Sequence, residues 1–320
     1  MRKAAPQHAI GAEGRNRPSA LSGRFGWLQQ VAIVAVTAVG LSLMMYPSAG
    51  TWFYLHAQSQ TVSGYAQQVA AMPAPQRTDL LTAAEAYNET LPPGPFQDPE
   101  SMADNPAGTA TDAEYDSLLD ADGSGIMAQI AIPSINVNLP VYHGVSTDTL
   151  EQGVGHLPGS SLPVGGAGTH AVLVAHTGVA NAPLFTDLNK VVLGDTFTIT
   201  TYGETLYYRV DQILVVKPDD MDPLQIFPGM DYVTLVTCTP KWVNTYRLLV
   251  RGVRIAAPPA ADTAGTYALG VDKGPGLPWW AVVIAGGTVA SLVITRLLAV
   301  GSARSSRHRR RRSRRVAYYW

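Results

Sequence analysis

One cysteine in 320 residues, Cys238, excludes an intramolecular disulfide. In an exported chain, where paired cysteines are a common stabilising device, a lone thiol is buried and inert, bonded to another chain, or kept as a nucleophile. Other absences narrow the chemistry further. No group of His, Cys, Asp and Glu has metal-ligand spacing, the many acidic residues do not define a calcium loop, and there is no phosphate-binding loop. Neither a metal nor a cofactor is expected.

Basic residues are scarce in the middle of the chain, which the formal net charge of -1 conceals. Residues 1–26 carry Arg2, Lys3, Arg15, Arg17 and Arg24 against Glu13, and residues 301–320 carry eight arginines. Beside these basic zones lie the two long apolar runs, Trp27 to Tyr46 and Leu277 to Val300. Each is about long enough to cross the hydrocarbon core of a bilayer as a helix. Trp279 and Trp280 suit a membrane interface, and Arg296 can snorkel from the far end of the second run.

The positive-inside rule keeps both basic flanks in the cytoplasm and places residues 47–276 outside, giving a two-pass cell-membrane protein. Nine basic residues against 23 acidic ones leave that external part near -14. A basic start, an apolar core and Ser48-Ala49-Gly50 also suit a cleaved signal peptide, but the apolar run is long for one and is read as an anchor. The Arg-rich tail abuts a span, so it is read as a topology signal and a contact for anionic lipid; no nucleic-acid partner is expected.

Within residues 47–125, helix-compatible composition recurs from Ser63 to Ala71 and from Thr78 to Asn88, interrupted by Pro73 and Pro75. Two short helices are predicted there. From Leu91 to about Gly125 the chain is rich in Pro, Gly, Asp and Ser without periodicity, which predicts a long exposed loop. From 126 to 256 the texture changes to short runs of Val, Ile, Thr and Tyr between turn residues, the pattern of a mainly β domain, a small barrel or sandwich.

Strands are predicted near Ile126–Ile132, Ala171–His176, Thr196–Thr200, Thr205–Val216, Tyr232–Cys238 and Tyr246–Ile255, with helical turns at Thr149–Gly153 and Pro183–Asn189. Residues 257–276 read as a linker, followed by the span at 277–300.

A thiol at its ordinary pKa of about 8.5 is only a few per cent ionised at neutral pH, so a nucleophilic Cys238 needs a base and a cation nearby. His143, His156, His170 and His176 lie in the external part clear of the membrane, and spacing alone does not choose among them. Strand logic favours His176, which ends an apolar run as Cys238 does; His170 begins the same run and belongs at the opposite rim, about 20 Å away. Arg247, nine residues beyond Cys238 across a turn, can return beside the sulfur on an antiparallel neighbour; Arg251 lies further along the same face.

Thr234-Leu235-Val236-Thr237-Cys238 followed by Asn244-Thr245-Tyr246-Arg247-Leu248-Leu249-Val250-Arg251-Gly252 resembles the active-site region of sortases, cysteine transpeptidases of Gram-positive surfaces. Ala175-His176-Thr177-Gly178 with Leu184-Phe185-Thr186-Asp187-Leu188 resembles the family's histidine region. The stretch from Ile132-Pro133 to Val141-Tyr142-His143-Gly144 resembles its opening strands, and Gly153 to Pro163 also resembles family sequence. The resemblance implies a closed β-barrel of about eight strands with short helices, an N-terminal helical or lid segment and two flanking transmembrane helices. It makes Cys238 the nucleophile, His176 the acid/base, Arg247 the stabiliser of oxyanion or substrate, and Thr237 a support of the pocket. It gives His143 and His156 no catalytic role, and they are assigned to structure.

Two spans and a long segment before the barrel resemble class C, the pilin-polymerising sortases, whose lid carries Asp-Pro and then an aromatic residue. Here Phe96-Gln97-Asp98-Pro99-Glu100 supplies Asp98 and Pro99 but places Glu100 at the aromatic position, with Phe96 in a different register. If this is the lid, Asp98 pairs with Arg247. The implied reaction is cleavage of an LPXTG-like signal between Thr and Gly and transfer of the acyl group to a pilin lysine. The implied partners are pilins and other LPXTG-bearing surface proteins. The alternatives are a housekeeping sortase that anchors proteins to peptidoglycan and a membrane-tethered adhesion or assembly scaffold with a degenerate site. A papain-like protease fits poorly, since that family places its cysteine ahead of its histidine and on a helix.

Overall fold

The computed structural model describes residues 21–94, 96–103, 113–120, 123–257 and 274–316. The basic residues of the first 20 positions, most of the expected 257–276 linker, and the side chains of the Arg-rich tail lie outside the described residues.

The chain divides into two compact units, residues 1–46 with 279–320 and residues 47–278. The first holds the start of α1 (Leu21–Ala71) and α6 (Trp279–Val316). Two helical stretches, Gly26–Ala71 and Trp279–Gly301, are long and apolar enough to cross a membrane. Inside this unit Ser291 Oγ donates to Thr37 Oγ1 at 3.3 Å, and a Cβ at Gly287 would strike the Leu41 side chain at 2.5 Å. Small residues thus let the two helices approach closely, as membrane helices do where packing rather than the hydrophobic effect holds them.

The predicted pair of short helices is corrected by the structure. α1 runs unbroken through Ala71 with Pro47 inside it, and α2 (Ala74–Thr90) follows after one turn. The Ala, Gln, Ser and Tyr-rich stretch after Pro47 offers no strong stop before Pro73, which caps α2 while Pro75 occupies its first turn. The predicted exposed loop at 91–125 is corrected as well. It contains α3 (Pro99–Ala103) and α4 (Ala113–Ser117), and Asp98, Pro99, Tyr115 and Leu119 are buried. Such burial depends on partners distant in sequence, which local composition does not register.

Eight strands close into a barrel in the order β1-β2-β3-β4-β7-β8-β6-β5. They are β1 (Ile126–Ile132), β2 (Val137–His143), β3 (Val154–His156), β4 (Thr169–Val174), β5 (Thr196–Thr201), β6 (Glu204–Val216), β7 (Asp231–Thr239) and β8 (Tyr246–Ile255). Texture alone misses β2 and β3. β2 carries Pro140, tolerated because β3 pairs only with Val141 to His143 and leaves the proline without a second neighbour; β3 has three residues, too few for a period. The β2–β3 and β4–β7 pairs are parallel, and the others are antiparallel. α5 (Thr147–Gln152) supplies the crossover between β2 and β3.

Alternation along β4, β7 and β8 sorts their side chains into two apolar clusters. Leu173, Leu235 and Val250 join Ile130, Phe197 and Tyr208 in one cluster, the barrel interior, against which Tyr65, Val69 and Ala84 of α1 and α2 also pack. Val172, Val174, Val236 and Leu249 point the other way and meet Leu150, Met221 and Leu224 in a second cluster outside the barrel. At Gly252 an added Cβ would lie 2.5 Å from the Phe197 ring, so β8 needs glycine there for close packing.

Buried polar groups fasten the N-terminal segments to the barrel. Tyr65 Oη donates to Met127 O at 3.1 Å and accepts from Tyr202 N at 3.0 Å. Asn88 exchanges two bonds with the Leu162 backbone at 3.1 and 2.7 Å. His156, fully buried, faces Ser161 O through Nε2 at 2.8 Å, so that nitrogen carries the proton and Nδ1 accepts from Tyr115 Oη at 2.9 Å.

Burial lowers His156 to about 4, below the ordinary 6.5. Between these values the unfolded chain takes up a proton that the folded chain refuses. Stability is therefore complete above about pH 6.5 and falls as the pH drops towards 4, by about 3 kcal/mol for this ring. Thermal melts of the wild type and His156→Gln across this window should show a steeper loss of melting temperature in the wild type, and parallel curves would refute the assignment.

Candidate active site

β7 ends in Thr237, Cys238 and Thr239, and Cys238 has a neighbour on each side fixed by backbone register. On one side it pairs directly with Arg247 of the antiparallel β8. On the other, Val174 at the end of β4 pairs with Val236 in parallel register. That alignment continues for a further step: Ala175 N donates to Val236 O at 3.1 Å, and Thr237 Oγ1 donates to Ala175 O at 2.7 Å. The next residue, His176, thus lies toward the end of β7 that carries Cys238. Cys238 and Arg247 are thus paired on adjacent strands, and His176 follows two residues past the end of β4 at the same end of the barrel.

Alternation also sets the face. Cys238 follows Val236, Arg247 precedes Leu249 and His176 follows Val174, each two residues from a member of the outer cluster. The site is therefore on the outside of the barrel wall, while Thr237 acts from the inner side by holding β4 to β7. The loop after His176 is closed by Phe185 N donating to His176 O at 3.1 Å and Gly178 N donating to Thr186 Oγ1 at 3.0 Å, with Phe185 buried in the core.

Arg247 is held as a directed fork. Its Nη1 donates to Asn244 O at 3.1 Å and Tyr246 O at 3.4 Å, which leaves Nε and Nη2 aimed at one carboxylate. That carboxylate is Asp98: Nε meets Oδ1 and Nη2 meets Oδ2, both at 2.7 Å. The side chains are 8% and 6% exposed, so the pair is shielded from water. A parallel two-point contact of this kind is among the stronger charge-assisted hydrogen bonds. Asp98 Oδ2 also accepts from Ser101 N at 3.1 Å and Ser101 Oγ at 2.9 Å, capping α3.

Phe96 and Met102, on either side of Asp98, pack on the outer cluster, and Pro99 is buried. The segment 96–103 thus covers Arg247, with Cys238 itself 6% exposed. The side chain of Glu100 lies outside the described residues. Ser101 and Met102 carry no motif in the sequence; the one available signal was a serine three residues after Asp98, the spacing of a helix cap.

The other candidates lie elsewhere. Arg251, four residues along β8, is paired with Asp211 at 3.1 and 2.8 Å and stacks on Tyr232 at 4.2 Å. His170 is near the opposite end of β4 from His176 and is fully buried. His143 faces Leu118 O at 2.7 Å and Gly125 O at 3.1 Å and ties the chain entering β1 to β2. No group of potential metal ligands occurs among the described residues.

A sortase-domain family model matches residues 130–255. Among solved structures, a sortase C-1 variant from S. pneumoniae is 40% identical with a TM-score of 0.58, over 62% of this chain and 99% of that one. Sortase C-1 from Actinomyces oris is 47% identical with a TM-score of 0.52, over 57% and 99%. A pilus-related sortase C of Group B Streptococcus is 38% identical with a TM-score of 0.55, over 60% and 95%. Sortase A of Streptococcus agalactiae is 29% identical over 118 residues, 36% of this chain and 47% of that protein, so the chain spans about half the length of that curated relative. Likeness along nearly the whole of several solved sortases, joined to a barrel of the same kind, establishes that the chain belongs to the sortase family.

Proposed function

We propose that this chain is a membrane-anchored class C sortase that joins pilin subunits. The reading rests chiefly on the pairing of Cys238 with Arg247 across β7 and β8, with His176 just past the end of β4, beneath a segment that pairs with Arg247. The likeness to sortase C proteins, one of them pilus-related, supports it.

In this reading the Cys238 thiolate attacks the carbonyl carbon of Thr in an LPXTG-like sorting signal, and Arg247 stabilises the oxyanion or the bound peptide. Collapse breaks the Thr–Gly bond as His176 delivers a proton to the departing glycine amine, leaving a thioester on Cys238. A neutral lysine amine of the next pilin attacks that thioester, His176 takes up the proton that the amine loses, the thiolate departs, and an isopeptide bond remains. No external energy source is required, since one amide replaces another. The two apolar helices anchor the enzyme with its barrel outside and both termini in the cytoplasm, where substrates carrying their own spans meet it. The segment from Phe96 to Met102 is the lid, and Phe96 and Met102 take the place of the aromatic residue that Glu100 lacks.

Incubating the detergent-solubilised full-length protein with an LPXTG peptide should yield a thioester on Cys238 detectable by mass spectrometry, absent in Cys238→Ala; no adduct even in an Asp98→Ala background would falsify the catalytic reading. A lysine-bearing pilin domain should resolve the thioester, whereas resolution by a lipid II mimic alone would favour a housekeeping role. Arg247→Lys keeps the charge but loses the fork, and in the Asp98→Ala background it should lower kcat/KM about 10²-fold or more. Asp98→Ala should speed labelling of Cys238 by a thiol reagent, and an unchanged rate would count against closure by this segment.

A further inference from the structure

The lid leaves the barrel by resting on the β6–β7 loop, residues 217–230. Ile226 N donates to Pro93 O at 3.0 Å. One residue on, Gly94 has φ +133°, and a Cβ there would come within 3.2 Å of Gln225 Cγ. The same loop contributes Met221 and Leu224 to the outer cluster on which Phe96 and Met102 lie. Both the base and the apolar bed of the lid thus depend on where this loop sits.

The loop is tied to the barrel wall by His170. The ring is fully buried, with Nδ1 2.8 Å from Gln225 O and Nε2 2.7 Å from Thr234 Oγ1. A carbonyl only accepts, so Nδ1 carries the proton and Nε2 accepts from the threonine hydroxyl. Burial lowers the ring to about 4, which keeps it in this neutral form at ordinary pH, beside Arg251 and Asp211 and against the Tyr232 ring. None of these contacts reaches Cys238, and the reaction proposed above does not use His170.

We infer that His170 is a positioning residue for the lid: by holding the Gln225 carbonyl it sets the adjoining Ile226 N–H, which in turn holds Pro93, three residues before the lid. This rests on the reading of residues 96–103 as a lid. The connection is short and continuous, from a ring in the β4 wall through two consecutive loop residues to the lid's base. Losing the donor to Gln225 frees the loop, and the closed lid loses its seat.

The test uses the rate at which a thiol reagent labels Cys238, the chain's one cysteine, in the full-length protein in detergent. His170→Asn places an amide donor near the Nδ1 position, whereas His170→Gln places its amide near Nε2 and leaves Gln225 O without its donor. Labelling should rise about fivefold in His170→Gln, the effect of one hydrogen bond of about 1 kcal/mol, and stay near wild type in His170→Asn. Gly94→Ala, strained at its positive φ and pressed against Gln225, should also label faster. Asp98→Ala combined with His170→Gln should label no faster than Asp98→Ala alone.

Equal rates in the two His170 variants, with matching melting temperatures, would show a packing role only and overturn the inference. Should His170→Gln fail to fold, an unchanged rate in Gly94→Ala would overturn it. If Asp98→Ala also labels like wild type, the lid reading falls and takes this inference with it. Thioester formation in an Asp98→Ala background is scored separately, so failure of the catalytic reading stays distinguishable from failure of the latch.

Discussion

β7 is hydrogen-bonded in parallel to β4 and antiparallel to β8, and the two registers meet at its last residues. Backbone register thereby sets Arg247 opposite Cys238 on one side and leads the chain from Val174 toward His176 on the other. A slip of one residue in either pairing would turn the corresponding side chain to the other face and bring an interior apolar residue to the site. The inner cluster guards against this, because Leu173, Leu235 and Val250 are buried and do not exchange places with outward residues without loss. Thr237 adds a side-chain tie at the very step where β4 stops pairing as a strand. The precision of the site is thus inherited from the packing of a core that takes no part in the chemistry.

The outer face creates an electrostatic demand of its own. Arg247 is nearly buried, and a buried guanidinium without a counter-charge is costly. Asp98 meets that demand in the closed form. If the covering segment is the proposed lid, then on its leaving water reaches the fork and performs the same service, so opening would not leave the cation both buried and uncompensated. The ion pair is for this reason better suited to a reversible cover than an all-apolar contact, which would have no comparable recovery of solvation on release.

Much of this organisation is legible in the sequence. The β texture after Gly125, the position of Cys238 near a strand end, and the nine-residue return to Arg247 follow from period and spacing, whereas the strand expected to end at His176 stops at Val174. What stays hidden is whatever depends on remote partners. Tyr115 sits in a short polar segment yet is buried against His156, and Ser101 has meaning only once Asp98 faces Arg247. β3 is defined by its neighbours rather than by its three residues. The length of α1 is hidden for a related reason: helix propensity marks where a helix is favoured, while its unbroken length depends on the absence of a stop between Pro47 and Pro73.

α3 has five residues, well below the length at which a helix persists unaided in water, and its cap is the same carboxylate that binds Arg247. Folding and docking of this segment are therefore one event. Under the proposed reading as a lid, the segment would be a tethered competitive ligand: joined to the barrel by a short stretch of chain, it faces its own site at an effective concentration of roughly millimolar order. A substrate diffusing in three dimensions at cellular abundance would seldom displace it. On the same reading, a substrate confined to the same membrane surface, and thus locally concentrated, would win that competition, and occupancy of the site would report co-localisation as well as sequence.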